Sequence, residues 1–393
     1  METFNQVLGC VANRAPLLSS PGPVQARIAW LRGSVKCLLG AATLAAALAA
    51  PTWSAQFPDA TEGHGAAQTD SEAAARAEWR AIMRHSSPSG TGCFHASYPS
   101  IVVERVECET GEPRAEFVRG DRTDDEADVV GDGADVAGNG PAVVGNGHDY
   151  VAHSTGLITG ANIGLGVRGA NYEETIGSRI DHTAILGAGE YSLQVNTNMN
   201  STTSACAGHS GCTVWQQFIY ATDYIKPGMA AMFIKYWLID WGSSACPSGW
   251  TKEGTDCYKS SPLAAALDMP ISQMNAATLF VVTATPGGND QFRLEQTSEY
   301  TWVSQPDSVL DISSIWTDLE FNVFGDGGGS EAYFGSGTSV AISMEVLVSP
   351  DAWLTCVASS GTSGESNNLN VAPWCSAYIE VNTIGEFYFT ESD

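Results

Sequence analysis

The chain has 393 residues and carries 44 acidic against 18 basic side chains, which gives a formal net charge of −26 at pH 7. A surface this negative repels nucleic acid and anionic membranes, so neither is expected as a partner. The length is sufficient for one large domain with additional segments, and the 41 glycines are typical of chains with many turns.

Residues 1–49 have the pattern of a signal peptide. Basic side chains precede an apolar run from Cys37 to Ala50, and Ala47-Leu48-Ala49 fits a signal-peptidase cleavage site. The apolar run is too short to span a bilayer comfortably, and no other long apolar segment follows it in the sequence. The mature protein is therefore expected to be secreted, either extracellular or periplasmic, without a membrane span.

Residues 50–92 are polar and are expected to form a spacer or a pro-segment. An alanine-rich stretch from Glu72 to His85 predicts one short helix there, with Asp70 or Ser71 as its N-cap. The next stretch, residues 93–112, has apolar side chains between two cysteines. This stretch predicts a hairpin that is closed by a disulfide.

Eight cysteines follow the expected leader, and they fall into four pairs of close neighbours. Pairing between neighbours closes the shortest loops, so we predict four disulfides and an oxidising compartment. A zinc site is the alternative, but the spacings lack Cys-x-x-Cys and no histidine lies at ligand spacing, so no metal and no cofactor are expected. The predicted pairs are Cys93–Cys108, Cys206–Cys212, Cys246–Cys257 and Cys356–Cys375.

Residues 113–148 predict a linker. The run from Asp121 to Asp128 is acidic, and the residues after it are rich in glycine, asparagine and aspartate. Low hydrophobicity combined with high charge is typical of segments that do not form a core. The alternative function for this region is calcium binding, because Gly145 to His153 is weakly similar to one calcium-binding nonapeptide turn.

Residues 149–393 predict an all-β domain. Short stretches alternate apolar and polar side chains, most cleanly between Thr338 and Val348, and no long amphipathic helix separates them. Many short strands over this length predict a large antiparallel β-sandwich of jelly-roll, concanavalin-like type, held by disulfides. Besides the three strands treated next, the expected strands are Tyr150–Ile158, Thr278–Ala284, Gln291–Gln296, Tyr300–Ser304, Asp318–Phe324, Thr338–Val348, Ala377–Val381 and Glu386–Thr390.

Three strong strand patterns lie between Glu190 and Tyr258. Because side chains alternate along a strand, one face of the first strand carries Gln194 and Asn196, while the other two strands are rich in aromatic residues. If the three are neighbours, these amides lie beside exposed indoles, which is an arrangement suited to sugars or peptides. The alternative is that the aromatic residues are sandwich core and the amides are solvated. The predicted substrate-binding residues are Trp215, Trp237, Asn196 and Lys235.

A glycine-rich turn precedes Glu331, which then enters a strand pattern. A carboxylate at the end of such a turn can act as a general acid or base. Together with Asp326 it can instead ligate calcium, and a solvated glutamate in a plain loop is the third alternative. The common motifs of serine hydrolases, zinc peptidases and nucleotide-binding proteins are missing from the sequence.

Two resemblances follow from the order of motifs along the chain. The series that begins with Gly92-Cys93-Phe94 and ends with NNLN at residues 367–370 resembles a family of secreted bacterial proteins, which implies export and the fold but no activity. A more distant resemblance is to neprosin-type glutamic peptidases, which are secreted jelly-roll enzymes active in acid. The motifs that carry it are Tyr191-Ser192-Leu193, Trp215-Gln216, Tyr236 to Asp240, Cys257-Tyr258 and Gly328 to Glu331.

The second resemblance implies that Glu331 activates water and that a glutamine stabilises the oxyanion. Two positions depart from the pattern: Cys212-Thr213-Val214 stand where a glutamate is expected, and Ser330 separates the glycines from Glu331. A related class of peptidases pairs glutamine with glutamate, so Gln194, Gln216 or Gln217 can take the place of the missing glutamate. The predicted catalytic residues are Glu331, Gln194 and Gln217.

The expected function is therefore a glutamic-peptidase-like hydrolase that acts on extracellular polypeptide. The alternatives are a lectin-like carbohydrate-binding module, with a glycan as its partner, and a secreted structural or adhesive protein without catalysis. A peptidase requires Glu331 near an amide or a second carboxylate in a cleft, whereas a lectin requires a group of exposed indoles.

Overall fold

The structure is a computed structural model that describes residues 70–109, 149–169, 174–178, 189–283, 287–325, 330–358, 366–381 and 383–393. The expected signal peptide, the acidic linker and Asp326 lie outside these residues.

The described part of the chain consists mainly of strands, with one α-helix, α1 (Asp70–Arg84). Short 3-10 helices cover Ser204–Cys206, Ile271–Ala276, Asp307–Val309 and Ile312–Ser314. The strands are β1 (Gly92–Ser97), β2 (Glu104–Val106), β3 (Tyr150–Ser154), β4 (Ile158–Arg168), β5 (Glu174–Ser178), β6 (Ser192–Asn196), β7 (Thr213–Lys226), β8 (Met229–Ile239), β9 (Thr251–Glu253), β10 (Asp256–Ser260), β11 (Ala264–Leu267), β12 (Thr278–Val282), β13 (Asn289–Glu295), β14 (Glu299–Pro306), β15 (Asp318–Phe324), β16 (Ser330–Phe334), β17 (Ser339–Val348), β18 (Leu354–Ala358), β19 (Ser366–Asn367), β20 (Asn370–Val381) and β21 (Ile384–Ser392).

These strands form two large antiparallel sheets and one small sheet. The first sheet has the order β2-β1-β14-β13-β12-β4-β17-β21-β20, and the second has the order β18-β3-β15-β6-β7-β8-β10-β9, with β11 also paired to β8. The small third sheet contains β19, β16 and β5. Apolar side chains of both large sheets share one core, including Ile163 and Phe292 from the first and Leu193 and Phe218 from the second. The predicted all-β, antiparallel, disulfide-bonded sandwich is confirmed.

Most of the expected strands differ from the structure by one or two residues at their ends, and two of them differ more. The stretch Tyr150–Ile158 is divided, because β3 belongs to the second sheet and β4 to the first. The chain crosses between the sheets at Gly156, where a Cβ atom would lie only 2.9 Å from the Cβ of Ala352. Glycine is therefore the residue that fits this close approach. β20 begins at Asn370, seven residues before the expected start at Ala377.

The N-terminal residues that were expected as a spacer and a separate hairpin are packed into the sandwich. β1 pairs along its length with β14 of the first sheet, and β2 pairs with β1. On the outer face of that sheet, Trp79 and Met83 of α1 are buried together with Tyr300 and Trp302. The packed domain therefore starts earlier in the chain than the expected boundary at residue 149.

A buried carboxylate and two arginines hold α1 in place. The Glu295 side chain on β13 accepts a hydrogen bond of 3.2 Å from Arg84 Nε, and Arg80 Nε lies 3.6 Å from its other oxygen. The Tyr300 hydroxyl donates to the Arg80 carbonyl over 3.2 Å. Burial, and then the neighbouring Glu295 carboxylate, raise the pKa of Tyr300 well above its ordinary value, so this hydroxyl keeps its proton.

All four predicted disulfides are present. Their Cα–Cα distances range from 5.4 Å in Cys93–Cys108 to 6.1 Å in Cys356–Cys375. The last of them links β18 of the second sheet to β20 of the first. Several disulfides in one chain fit an oxidising compartment. Within the described ranges, no helix has the length and apolar character that a membrane crossing requires.

One buried carboxyl group joins the three sheets. Glu391 on β21 accepts a hydrogen bond of 2.7 Å from Asn322 on β15 and another of 3.1 Å from Asn367 on β19. Burial, and then repulsion from Asp149, raise the pKa of Glu391 to about 8. This carboxyl group is therefore uncharged at acid and neutral pH.

Candidate functional site

Four side chains form a line across the middle of the second sheet. The strand registers place Glu320 opposite Asn196, Asn196 opposite Gln217, and Gln217 opposite Lys235. Opposed side chains of an antiparallel pair share a face, and strands lie about 4.8 Å apart, so the backbone positions of Glu320 and Lys235 are about 14 Å apart. We call this line the polar row. Each member is at most 1% exposed.

The polar row lies on the face of the second sheet opposite to the sandwich core. Core residues such as Val195, Phe218 and Ile234 alternate with the row along β6, β7 and β8. β7 and β8 are joined by a tight hairpin whose Gly228 has φ 80°, a backbone conformation that favours glycine. The register shifts at an irregularity between Ala221 and Lys226, and beyond it Gln217 lies beside Lys235.

The carboxylate end of the row consists of Glu320 and Asn196. Asn196 Nδ2 donates to Glu320 Oε2 over 3.0 Å. A buried carboxyl group is costly unless hydrogen bonds satisfy it, and this amide offsets part of that cost for Glu320. Asn196 Oδ1 is also buried, and it has no hydrogen-bond partner among the residues that the structure describes. Such an atom marks a position for water or for a donor group of a ligand.

The two predicted glutamines belong to one directed chain of hydrogen bonds. Trp237 Nε1 donates to Gln217 Oε1 over 2.8 Å, and Gln217 Nε2 donates to Gln194 Oε1 over 3.0 Å. Gln194 Nε2 donates to Ser192 Oγ over 3.0 Å, and that hydroxyl donates to the Gly325 carbonyl over 2.6 Å. Each amide is therefore oriented by its neighbours in the chain.

Aromatic rings surround the ammonium end of the row. Trp215 and Trp237 are stacked with ring centroids 5.7 Å apart, and the Tyr258 ring lies 5.2 Å from Trp237. Lys235 Nζ is 4.6 Å from the centroid of Tyr258 and 5.1 Å from that of Trp237, which allows cation–π attraction. Trp215 Nε1 is buried without a hydrogen-bond partner in the described part of the chain.

The structure thus brings together six of the seven residues that were predicted for catalysis or substrate binding. The seventh, Glu331, lies on β16 of the third sheet, opposite Gly177 of β5 and Ser366 of β19. It is half-buried, and no hydrogen bond within the described ranges links it to the polar row. Gln216 lies on the opposite face of β7, where it donates to Asp290 over 2.8 Å.

The expectation of exposed indoles on this face was wrong. Trp215 and Trp237 are each 1% exposed, and they pack in a cluster of their own with Ile239, Tyr258 and Phe324, apart from the main core. The alternative, core aromatic residues beside solvated amides, was wrong as well, because the amides are buried. Their burial is tolerated because they hydrogen-bond to one another and to Trp237.

Sequence reasoning missed Glu320 and Ser192. A signal for Glu320 was present, because Asp318, Glu320 and Asn322 alternate with apolar residues in the same way as Ser192, Gln194 and Asn196. What the sequence did not show is that these two strands, more than a hundred residues apart, are direct neighbours in the second sheet.

Comparison with known proteins gives no family for this chain. No protein-family model matches it, and no curated protein matches it. Function is therefore inferred from the geometry of the polar row, which combines a hydrogen-bonded carboxylate, oriented amides, and buried polar atoms of Trp215 and Asn196 that lack a partner in the described ranges.

Proposed function

We propose that this protein is a secreted hydrolase of the glutamic-peptidase type, which cleaves extracellular polypeptide with Glu320 as its catalytic carboxylate. The observation that carries the proposal is the hydrogen bond of 3.0 Å from Asn196 to Glu320, at one end of a row of oriented amides. A carboxylate that accepts a proton from water and N–H donors that stabilise an oxyanion are the two components of this reaction.

In the proposed reaction, Glu320 takes a proton from a water molecule whose oxygen attacks the scissile carbonyl carbon. The carbonyl oxygen then carries negative charge, which nearby N–H groups stabilise. Gln217 Nε2 has two N–H groups, and its bond to Gln194 uses one of them. The proton on Glu320 passes to the leaving amine as the C–N bond breaks.

The resemblance to neprosin-type glutamic peptidases supports the same reaction class, as does the pairing of glutamine with glutamate in a related class. That resemblance points to Glu331 as the carboxylate. We assign the role to Glu320 instead, because β15 pairs directly with β6 and places Glu320 against the amides. Carbohydrate binding on this face is less well supported, since the rings of Trp215 and Trp237 stack on each other, with centroids 5.7 Å apart.

The polar row is buried in the structure, so a polypeptide can reach Glu320 only when this face is uncovered. The assay therefore uses the purified, secreted protein after incubation in acid. A denatured protein substrate is supplied at several values between about pH 3 and about pH 7, the range over which carboxylates change their charge.

Three variants identify the catalytic carboxylate. We expect Glu320→Gln to abolish cleavage, because glutamine cannot accept the proton from water. Glu104→Gln, an exposed position on β2, is the matched control and should leave cleavage unchanged. Loss of cleavage in Glu331→Gln with full activity in Glu320→Gln would overturn the assignment to Glu320. No cleavage by the unaltered protein at any pH would overturn the peptidase proposal as a whole.

A further inference from the structure

The outer face of the first sheet has one covered half and one open half. Helix α1 covers the half that carries Tyr300 and Trp302. On the other half, Trp374 is 53% exposed and Tyr378 is 51% exposed, and both belong to β20. Large rings that stand in water on a flat sheet face are a common feature of binding surfaces.

Three aromatic rings line up on this open half. Trp374 and Tyr378 are four residues apart on β20, which separates them by about 13 Å along the strand. Tyr388 on β21 lies opposite Ser376, between them, and its ring centroid is 5.7 Å from that of Trp374. We call these three residues the aromatic strip. The alternate residues Phe387 and Phe389 face the core, so the strip faces outward.

Hydrogen-bonding groups lie directly beside the strip. Glu386 is opposite Tyr378 on one side and Glu345 on the other, and Glu345 is opposite Asn162. Asn162 Nδ2 donates to Glu345 Oε2 over 2.8 Å, which holds that carboxylate in place. Gly164 lies two residues further along β4 on the same face, and a Cβ atom there would meet nothing within 4 Å. The surface therefore offers carboxylate and amide oxygens beside an uncrowded position on the sheet at Gly164.

These carboxylates restrict the chemistry of a ligand. Burial, and then repulsion from Glu345 and Glu380, raise the pKa of Glu386 to about 7, which reflects a concentration of negative charge at this place. An anionic ligand is therefore repelled. A ligand rich in O–H donors, with apolar faces that stack on rings, is favoured.

We propose that the aromatic strip is a binding site for a neutral glycan chain. The C–H faces of successive sugar rings stack on Trp374, Tyr388 and Tyr378, and the sugar hydroxyls donate to Glu386 and Glu345. This site is separate from the polar row, which lies on the second sheet, and it does not depend on the peptidase proposal. A glycan bound here leaves the polar row unoccupied, so one molecule can hold a glycan while its other sheet carries out a different function.

The test is isothermal titration of the whole secreted protein with three neutral probes and one anionic probe. The neutral probes are soluble β-1,4-linked oligosaccharides of glucose, mannose and N-acetylglucosamine, and the anionic probe is a polygalacturonate oligosaccharide. We expect at least one neutral probe to bind and the anionic probe not to bind. Trp374→Ala and Tyr378→Ala should each weaken binding at least about tenfold, because each removes a stacking ring.

The matched control is Trp353→Ala. Trp353 is 72% exposed but precedes β18 of the second sheet and is not on β20 or β21, which carry the strip, so this variant should bind as the unaltered protein does. Circular dichroism checks that all three variants are folded. The proposal is overturned if no neutral probe binds, if only the anionic probe binds, or if Trp353→Ala weakens binding as much as Trp374→Ala.

Discussion

Replacing Glu391 with glutamine should change how stability depends on pH. Below about pH 8 the folded protein keeps the proton on this buried carboxyl group, whereas the unfolded chain loses it above its ordinary pKa of 4.5. Because the folded-state pKa is raised, the stability from this group is fully present below pH 4.5 and is lost as the pH rises to about 8. The shift corresponds to about 5 kcal/mol at about 1.36 kcal/mol per pH unit.

Glutamine has nearly the same shape but does not ionise. Both oxygens of Glu391 accept a hydrogen bond, one from Asn322 and one from Asn367. A glutamine amide has only one oxygen, and its NH2 group would face the other asparagine donor. One hydrogen bond is therefore lost, at a cost of about 1 kcal/mol. We therefore expect Glu391→Gln to be less stable than the unaltered protein at about pH 4. At about pH 8 the order should reverse, with the variant more stable by about 3 kcal/mol.

The measurement is urea unfolding of the oxidised protein, followed by tryptophan fluorescence at about pH 4, 6 and 8. Glu386→Gln is the control, because its carboxyl group also has a raised pKa, of about 7, but is half exposed to solvent. Screening by water should make its effect much smaller. Parallel stability curves for Glu391→Gln and the unaltered protein would refute the reasoning.

Two further variants test the packing around the candidate site and the N-terminal helix. Gln217→Leu leaves the buried N–H of Trp237 without an acceptor, so it should lower the free energy of unfolding in urea by about 1 to 3 kcal/mol. The control is Thr213→Val, at a half-buried position on the same strand, which should lower it less. Equal losses for the two variants would contradict the hydrogen-bond chain. Trp79→Ala should weaken the packing of α1 on the first sheet by about 3 kcal/mol and expose the arginines of α1 to trypsin. The control is Ile82→Ala, at a position that is 44% exposed on the same helix, which should not expose them. Unchanged trypsin resistance of Trp79→Ala would contradict the packing of α1 on the sheet.

Local patterns in the sequence predicted the sandwich well. The alternation in β17 and the length of β15 depend on neighbouring residues only, and both strands occur within one residue of the expected bounds. The disulfides were predictable for the same reason, since each joins cysteines that are close in the chain.

Contacts between distant residues were not predictable in this way. Glu320 meets Asn196 because strands 124 residues apart are neighbours, and Arg84 meets Glu295 across 211 residues. The predicted amides and indoles do lie together, as neighbouring strands require, but their burial depends on how the whole outer face is packed. The aromatic strip was missed because β20 starts at Asn370, so that Trp374 lay outside the strand expected from Ala377 onward.

The catalytic role of Glu320 is tested most directly by the rate at which the acid-treated protein cleaves a denatured substrate, compared with the rate for Glu320→Gln at the same pH. We expect cleavage by the unaltered protein and a loss of at least about a hundredfold in the variant, because a general base contributes on that order. Equal rates for the two proteins, or no cleavage by either, would contradict a catalytic role for Glu320.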